Sequence, residues 1–378
     1  MLNALFLYKG VSCVKRIAFF SLIFFSFILY VCFTQDNSYA HLFKKIEAPF
    51  VNEKIVGNPQ EILKSAQSTL RFIVTHEKKA WAPFTSPIFA QFGITLDDVK
   101  RTLRFIIETI KQDRSKKKQR ILDPHFINKH FNVICWTSEH HEKNQHSATN
   151  NCSDVRLTYY LIYRVNGSFK KTKDYPYALY AVPDEEKKLT DHQIEQKKKS
   201  LIRYSYTKQD IINGVLLNKK VRPLVWLSRQ GLEEALQQGT VIVVMPDGSE
   251  RTFNVDKCND IPYDHALENR ELQKRYWYFK ATEGHAGYNG KIDSIPDVTL
   301  AGDVYNLGLG KIVALKYTNK QTELPELKLG VLSDTGGAFK NNLHQLDCFT
   351  GIFSSPEEFK AHIKNLPMSA QAYILIKK

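Results

Sequence analysis

The chain has 378 residues, enough for about two domains, and its 24% charged and 43% apolar residues exclude an intrinsically disordered composition. Its formal net charge of +14 favours an anionic polymer or a membrane surface as partner.

The first 40 residues have the pattern of a secretory signal. Lys9, Lys15 and Arg16 precede an apolar run over residues 17–33, and Ser38-Tyr39-Ala40 then places small residues where a signal peptidase cleaves. We expect a cleaved signal peptide, or an uncleaved anchor that contacts the membrane through residues 17–33.

A lipoprotein anchor at Cys32 is not expected, because Val31 stands where the lipoprotein peptidase requires a small residue. The sequence therefore predicts export to the periplasm or envelope of a Gram-negative-type cell, and export argues against a nucleic-acid partner.

Two helices are predicted next. Asn58-Pro59-Gln60-Glu61 combines an N-cap residue, a first-turn proline and an acid at the capping-box position, and Thr95 with Asp98 repeats the capping pattern. Apolar residues at helical spacing follow both starts, which indicates that each helix packs one face on a core.

Four cysteines lie beyond the signal, and an oxidising compartment permits two disulfides. Proximity in sequence suggests Cys135–Cys152, which leaves Cys258–Cys348. No cysteine or histidine spacing indicates a metal site, and His140-His141 falls in a polar segment, 137–154, that is typical of a loop.

Strand-like segments dominate the rest of the chain. Those at 156–164 and 177–182 are followed by a predicted hairpin, in which 241–245 and 252–255 flank the turn Pro246-Asp247-Gly248-Ser249. Further strands are predicted at 312–317, 327–332, 346–349 and 373–376. The sequence thus predicts a mainly β protein with N-terminal helices.

Three acids in the last 80 residues are candidates for chemistry: Asp303, Asp334 and Asp347. Strand alternation places Asp347 on the face opposite Leu346 and Cys348, so its carboxyl should be half-buried. Burial raises the pKa of a carboxyl group toward that of a general acid. The alternative is that all three acids cap turns.

The pattern around these acids resembles the three-aspartate domain of the membrane-bound lytic murein transglycosylase A family. The matching motifs are Asp303 with Gly310, Asp334-Thr335-Gly336-Gly337-Ala338-Phe339-Lys340, and Asp347-Cys348-Phe349-Thr350-Gly351. Tyr159-Tyr160, Tyr175-Pro176 and Gln238-Gly239-Thr240 resemble further motifs of the family.

The chain also departs from the family pattern. Leu157-Thr158 replaces Thr-Gly before the tyrosines, Val241 replaces a glycine after the glutamine motif, Asn341 replaces the glycine after Lys340, and the proline expected before Gly310 is absent. None of these changes touches the three aspartates.

The resemblance implies a double-psi β-barrel domain, a second inserted β domain and a groove between them that holds a glycan strand. The implied units are a signal peptide or anchor at 1–40, the helical part and barrel at 41–155 with 290–378, and the second β domain at 156–289.

The resemblance also implies site residues and an activity. Asp347 matches the catalytic acid, and Asp334 and Asp303 match its supporting aspartates. The implied substrate contacts are Tyr159, Tyr160, Gln238, Gly239, Gly336, Gly337 and Lys340. The implied reaction is cleavage of the MurNAc-GlcNAc bond of peptidoglycan with formation of a 1,6-anhydro sugar, without metal or cofactor.

Three other functions remain to be weighed. Asp334-Thr335-Gly336 is also the core motif of aspartic proteases, but such an enzyme needs two such aspartates and the chain has one motif. A non-catalytic peptidoglycan-binding envelope protein on the same fold, and a plain murein hydrolase, are compatible with the sequence.

Overall fold

The structure is a computed structural model, and it describes residues 39–79, 83–84, 86–137, 152–264, 266–284, 287–337 and 339–378. The predicted signal, apart from residues 39 and 40, lies outside the described residues, as do His140-His141 and most of the predicted loop.

Strands and helices follow one another along the described chain. The strands are β1 Phe43–Ile46, β2 Lys54–Val56, β3 Phe131–Trp136, β4 Asp154–Ser168, β5 Tyr177–Tyr180, β6 Pro223–Leu227, β7 Thr240–Val244, β8 Glu250–Cys258, β9 Trp277–Thr282, β10 Thr299–Ala301, β11 Ile312–Thr318, β12 Pro325–Asp334, β13 Gln345–Phe353 and β14 Ser369–Lys377. The α-helices are α1 Pro59–His76, α2 Pro87–Ala90, α3 Leu96–Lys116, α4 Pro124–His130, α5 Asp191–Lys197, α6 Ile202–Ser205, α7 Lys208–Ile212, α8 Val215–Asn218, α9 Arg229–Gln238, α10 Val304–Leu307 and α11 Pro356–Ile363.

Both predicted N-terminal helices are confirmed, and their caps form as expected. The Asn58 side chain accepts a hydrogen bond from the Gln60 amide at the start of α1, and Thr95 and Asp98 form a capping box at the start of α3. The two helices pack on each other and against β12 and β14, so they cover one side of the sheet.

Six strands close into a barrel. In order round the ring, β14 pairs with β11, β11 with β12, β12 with β10, β10 with β13, β13 with β4, and β4 with β14 again. This closed ring contains the strands predicted at 312–317, 327–332 and 373–376 together with Asp347, and it confirms that prediction. The double-psi crossing of the barrel stays a prediction.

Strand β4 connects the barrel to a second unit. Its first half pairs with β13 and β14, whereas Tyr163–Asn166 pair with β7 and Gly167 and Ser168 pair with β6. Beyond the barrel, β7, β8 and β9 form an antiparallel extension, and β5 and β6 pair separately. Leu179, Val243 and Phe279 belong to the core of this second unit, which is separate from the barrel core.

The second unit contains more helix than the sequence predicted. Helices α5 to α9 lie between residues 191 and 238, where mainly β structure was expected. Four of the five have seven residues or fewer, too few for a helical repeat of apolar residues to emerge. Two of them, α5 and α7, begin with capping boxes, which Thr190 forms with Gln193 and Thr207 forms with Asp210.

The cysteine predictions have opposite outcomes. Cys135 and Cys152 form a disulfide, which confirms the first pairing. The predicted Cys258–Cys348 disulfide is wrong. Cys348 is buried in the barrel core next to Asp347, while Cys258 is half-buried at the end of β8 in the second unit, and neither is disulfide-bonded in the described part of the chain.

Candidate active site

Strand β10 brings Asp334 and Asp347 together. Ala301, its last residue, pairs with Asp334 on one side and with Asp347 on the other. Neighbouring strands lie roughly 4.8 Å apart, so this short strand holds the two carboxyl-bearing backbones at a fixed separation. The two acids therefore sit at one end of the barrel on rigid strands.

Asp347 faces a groove while its sequence neighbours face the core. Leu346 and Cys348 are buried in the barrel core, and Asp347 is half-buried. Desolvation raises the pKa of Asp347 to about 6, although a hydrogen bond with the Thr158 side chain opposes the shift. Its Oδ1 atom is buried and has no hydrogen-bond partner among the described residues, so one oxygen of this carboxyl is left for another molecule.

Asp334 is held by two donors. The Tyr160 hydroxyl donates to Oδ2 at 2.7 Å, and the Thr335 amide donates to Oδ1 at 2.8 Å. Burial nevertheless raises the pKa of Asp334 to about 7, and the nearby charge of Asp347 adds to the shift. Burial also raises the pKa of Tyr160 well above its ordinary value, which keeps this hydroxyl a donor.

Asp303 occupies a different kind of position. It is fully buried and caps α10, where Oδ1 accepts from the Tyr305 and Asn306 amides at 3.2 Å. Its Oδ2 accepts from the Asn306 side chain at 2.6 Å. Because the described residues already satisfy both oxygens, Asp303 is positioned to fix the loop that follows β10, and it does not line the groove.

The groove has a volume of about 660 Å³ and lies between the barrel and the second unit. The barrel side contributes Tyr160, Asp334, Gly336, Gly337 and Asp347. The second unit contributes Lys208, Gln238, Tyr263, Arg275 and Trp277. Polar, cationic and aromatic groups thus face the two carboxyls across a cleft large enough for several sugar rings.

Of the substrate contacts implied by the resemblance, Tyr160, Gln238, Gly336 and Gly337 line this groove. Tyr159 lies on the other face of β4, where it packs on the barrel core and its hydroxyl donates to the Pro367 carbonyl. Gly239 ends α9 with a φ of 77°, and Lys340 is exposed on the loop after Gly337. These last three do not line the groove.

Sequence reasoning missed the aromatic and cationic residues of the second unit. Tyr263, Arg275 and Trp277 fall in a polar and mixed segment, residues 257–294, for which no strand was predicted. The available signal was the run Arg275-Tyr276-Trp277-Tyr278, whose alternation predicts a strand with one buried and one accessible face. Tyr276 and Tyr278 are fully buried, whereas Arg275 and Trp277 are half-buried and face the groove.

Among the helices that the structure describes, none is both long and apolar enough to cross a bilayer. No group of three or more His, Cys, Asp or Glu side chains suited to a metal ion is found in the described ranges.

Comparison with known proteins identifies a domain and a fold. The family model described as "MltA specific insert domain" matches residues 156–274. A search for similar curated protein sequences finds no match.

Solved structures match over nearly the whole chain. E. coli MltA with bound chitohexaose superposes with a TM-score of 0.58 at 15% identity, covering 91% of this chain and 95% of that one. Membrane-bound lytic murein transglycosylase from Agrobacterium tumefaciens gives 0.57 at 15% identity, with 87% and 98% covered. MltA from Neisseria gonorrhoeae gives 0.53 at 14% identity, with 88% and 94% covered.

The match to the insert domain covers most of the second unit, and the structural matches span both units and the groove between them. The chain therefore resembles MltA: residues 156–274 match the model of the MltA specific insert domain, and the fold is that of the MltA structures.

Proposed function

We propose that the chain is a lytic murein transglycosylase that cleaves the β-1,4 bond between MurNAc and GlcNAc in peptidoglycan and forms 1,6-anhydro-MurNAc. The observation that carries this proposal is Asp347. It is a half-buried carboxyl on the wall of a glycan-sized groove, with a pKa raised to about 6 and one buried oxygen without a partner among the described residues.

In the proposed reaction Asp347 acts first as an acid and then as a base. The protonated carboxyl donates its proton to the glycosidic oxygen as the bond from C1 of MurNAc to that oxygen breaks. The resulting carboxylate then accepts the proton of the C6 hydroxyl of the same sugar as O6 bonds to C1. Each turnover returns the proton to Asp347, so no cofactor is consumed.

One carboxyl suffices because the nucleophile belongs to the substrate. Ordinary glycosidases use a second carboxylate to activate water or to attack the sugar. A well-placed intramolecular hydroxyl can have an effective molarity on the order of 10⁵ M or more, which replaces that requirement. The second acid, Asp334, is then free for a supporting role.

Asp334 supports Asp347 electrostatically in this proposal. The charge of ionised Asp347 raises the pKa of Asp334, which at about 7 lies above the value of about 6 for Asp347, so Asp334 remains mostly neutral while Asp347 titrates and adds no second negative charge beside it. Tyr160 and the Thr335 amide hold Asp334 in place. Asp303 contributes by fixing the loop beside both acids.

Two observations support a glycan strand as the substrate and the cell envelope as the compartment. The related E. coli MltA structure contains chitohexaose, a sugar polymer, which supports a glycan strand as the occupant of this groove. The Cys135–Cys152 disulfide supports an oxidising compartment outside the cytoplasm. We therefore propose an exported enzyme that acts in the cell envelope.

Substitution of Asp347 by Asn tests the catalytic assignment. Asp347→Asn keeps the side-chain size but removes the titrating proton, so lysis of sacculi should fall by about 10⁴-fold. The melting temperature and chitohexaose binding should stay close to those of the parent. The matched control is Asp174→Asn, an exposed acid outside the groove, which should leave lysis unchanged. Near-normal lysis by Asp347→Asn would contradict the proposal.

A further inference from the structure

The groove contains a guanidinium group that the proposed reaction does not use. Arg275 lies just before β9 in the second unit, and its Nη1 atom lies 3.6 Å from the position that a Cβ on Gly337 would occupy. Its side chain therefore reaches across the groove to the glycine loop that follows Asp334.

Two contacts fix this side chain. Nε donates a hydrogen bond to the Ile261 carbonyl at 2.9 Å, and the guanidinium carbon lies 5.7 Å from the centre of the Trp277 ring. The four N–H groups on Nη1 and Nη2 have no hydrogen-bond partner among the described residues. No carboxylate in the described ranges lies within ion-pair distance of Arg275.

The other two cations of the groove are already engaged. The Lys208 ammonium is buried and contacts both oxygens of Glu233, at 2.7 and 3.1 Å, as well as the Arg270 carbonyl at 2.9 Å. Arg270 is exposed at the rim and donates to the Gln237 side chain. Arg275 thus differs from both in presenting a pre-positioned, uncompensated fork of donors to the groove.

We infer that Arg275 is a specificity-determining residue that binds a carboxylate of the glycan substrate. A guanidinium fork matches a carboxylate with two parallel hydrogen bonds. Peptidoglycan carries such groups, either on the lactyl ether of MurNAc or on its stem peptide, whereas a chitin oligomer is neutral. This inference rests on the proposed function, because it concerns which strands the same groove prefers.

The experiment measures binding by calorimetry in the Asp347→Asn background, so that strands are not degraded during the measurement. Three probes separate the chemistry: chitohexaose, peptide-free glycan strands with free lactyl carboxylates, and strands that retain their stem peptides. Arg275→Gln should weaken at least one carboxylate-bearing probe by on the order of tenfold and change chitohexaose by less than about twofold. The probe that is weakened identifies the source of the carboxylate.

Two further variants sharpen the result. Arg275→Lys keeps the charge but not the fork, so its loss should be intermediate. Arg251→Gln, a matched exposed arginine on β8 outside the groove, should bind all three probes as the parent does. In the Asp347→Asn protein with Arg275 intact, added salt should weaken binding of the carboxylate-bearing probes more than binding of chitohexaose. This readout requires no substitution at Arg275.

An equal loss for all three probes on Arg275→Gln, or no loss for either carboxylate-bearing probe, would overturn the inference and leave the proposed function standing. So would equal salt dependence of the three probes. If the Asp347→Asn protein with Arg275 intact bound none of the probes, the claim that the groove binds a glycan would be contradicted, and with it both proposals.

Discussion

At the scale of single residues, the two carboxyl groups of the groove differ in the hydrogen bonds that they accept. Asp334 accepts hydrogen bonds from Tyr160 and from its neighbouring amide, whereas Oδ1 of Asp347 has no partner among the described residues. A buried carboxyl oxygen without a donor favours the protonated, neutral form of the acid. Of the two acids, Asp347 thus has an oxygen left to contact the glycosidic oxygen in the proposed reaction.

The raised pKa values predict a pH dependence of lysis. The proposed reaction needs protonated Asp347, which is present below its pKa of about 6 and is lost as the pH rises through that value. We expect the lytic rate to fall above about pH 6. Because Asp334 has the higher pKa, about 7, it is mostly neutral while Asp347 titrates, so Asp334→Asn should leave the position of this fall nearly unchanged.

Turbidity measurements on purified sacculi between pH 4 and 9 would give these profiles, with Asp174→Asn as the unchanged control. A rate that is flat from pH 5 to 8, or a fall that moves clearly in Asp334→Asn, would contradict the assignment of Asp347 as the proton donor.

The sequence predicted the position of Asp347 but not the pairing of the cysteines or the role of Arg275. Alternation around Leu346-Asp347-Cys348 was enough to place the acid on the accessible face, because the direction of each side chain depends only on its position within a single strand. Pairing of Cys258 with Cys348 could not be judged, since it depends on how two separate units are arranged. Arg275 escaped notice for the same reason: its role depends on a loop 62 positions further along the chain.

One departure from the family pattern has a physical explanation. Asn341 stands where the family has a glycine, and its φ is 57°. Asn adopts this left-handed conformation more readily than most residues. Its side chain also accepts a hydrogen bond from Asn306 at 3.4 Å. The substitution therefore leaves the loop beside Asp303 intact.

At the scale of secondary-structure elements, the strands were easier to predict than the short helices. Strand composition and punctuating Gly and Asp residues are local signals, and they located β11, β12, β13 and β14. Helices α5 to α8 have four to seven residues each, and tertiary packing decides their conformation more than local periodicity does.

The contact between α1, α3 and the barrel depends on a glycine that the sequence pattern had singled out. Gly310 precedes β11 with a φ of 86°, and a Cβ there would lie 2.8 Å from the Ile73 side chain of α1. It would also lie 3.1 Å from Val99 of α3. The close approach of both helices to the barrel therefore requires a residue without a side chain.

Gly310→Ala should lower the free energy of unfolding by about 2–4 kcal/mol, because it adds both backbone strain and overpacking. Gly248→Ala is the matched control. It has a similar φ of 80° but no atom within 4 Å of the added Cβ, so it should cost only about 1 kcal/mol. Urea unfolding would measure both, and equal losses would show that the helices do not pack against Gly310 as described.

At the scale of the whole molecule, the groove is assembled from two units that share a long strand. β4 enters the barrel at one end and pairs with the second unit at the other, so the groove walls are joined by continuous sheet. The sequence predicted two β units with a groove through the family resemblance, and local patterns alone could not have shown it. Closure of a barrel depends on pairings between strands that are distant in the chain.

The Cys135–Cys152 disulfide also contributes to the stability of the whole molecule, because it links β3 to the residues just before β4. It closes a loop of 17 residues, and a loop of that length contributes about 3 kcal/mol to stability. Reduction should therefore lower the melting temperature. In the double variant Cys135→Ser with Cys152→Ser, added reductant should have no further effect.

Cys258→Ser provides the control, since this thiol is not disulfide-bonded among the described residues and its replacement should leave the response to reductant unchanged. A melting temperature that is insensitive to reductant in the parent would contradict a stabilising Cys135–Cys152 bond.

The central claim is most directly tested by the chemistry of the products. Purified sacculi would be incubated with the protein, and the ends of the released fragments would be identified by mass spectrometry. If Asp347 uses the C6 hydroxyl of MurNAc as described, the fragments should end in 1,6-anhydro-MurNAc and should be absent with Asp347→Asn. Reducing ends would show that water attacks instead, and the absence of any fragments from the parent would show a non-catalytic binding protein; either result would contradict the account.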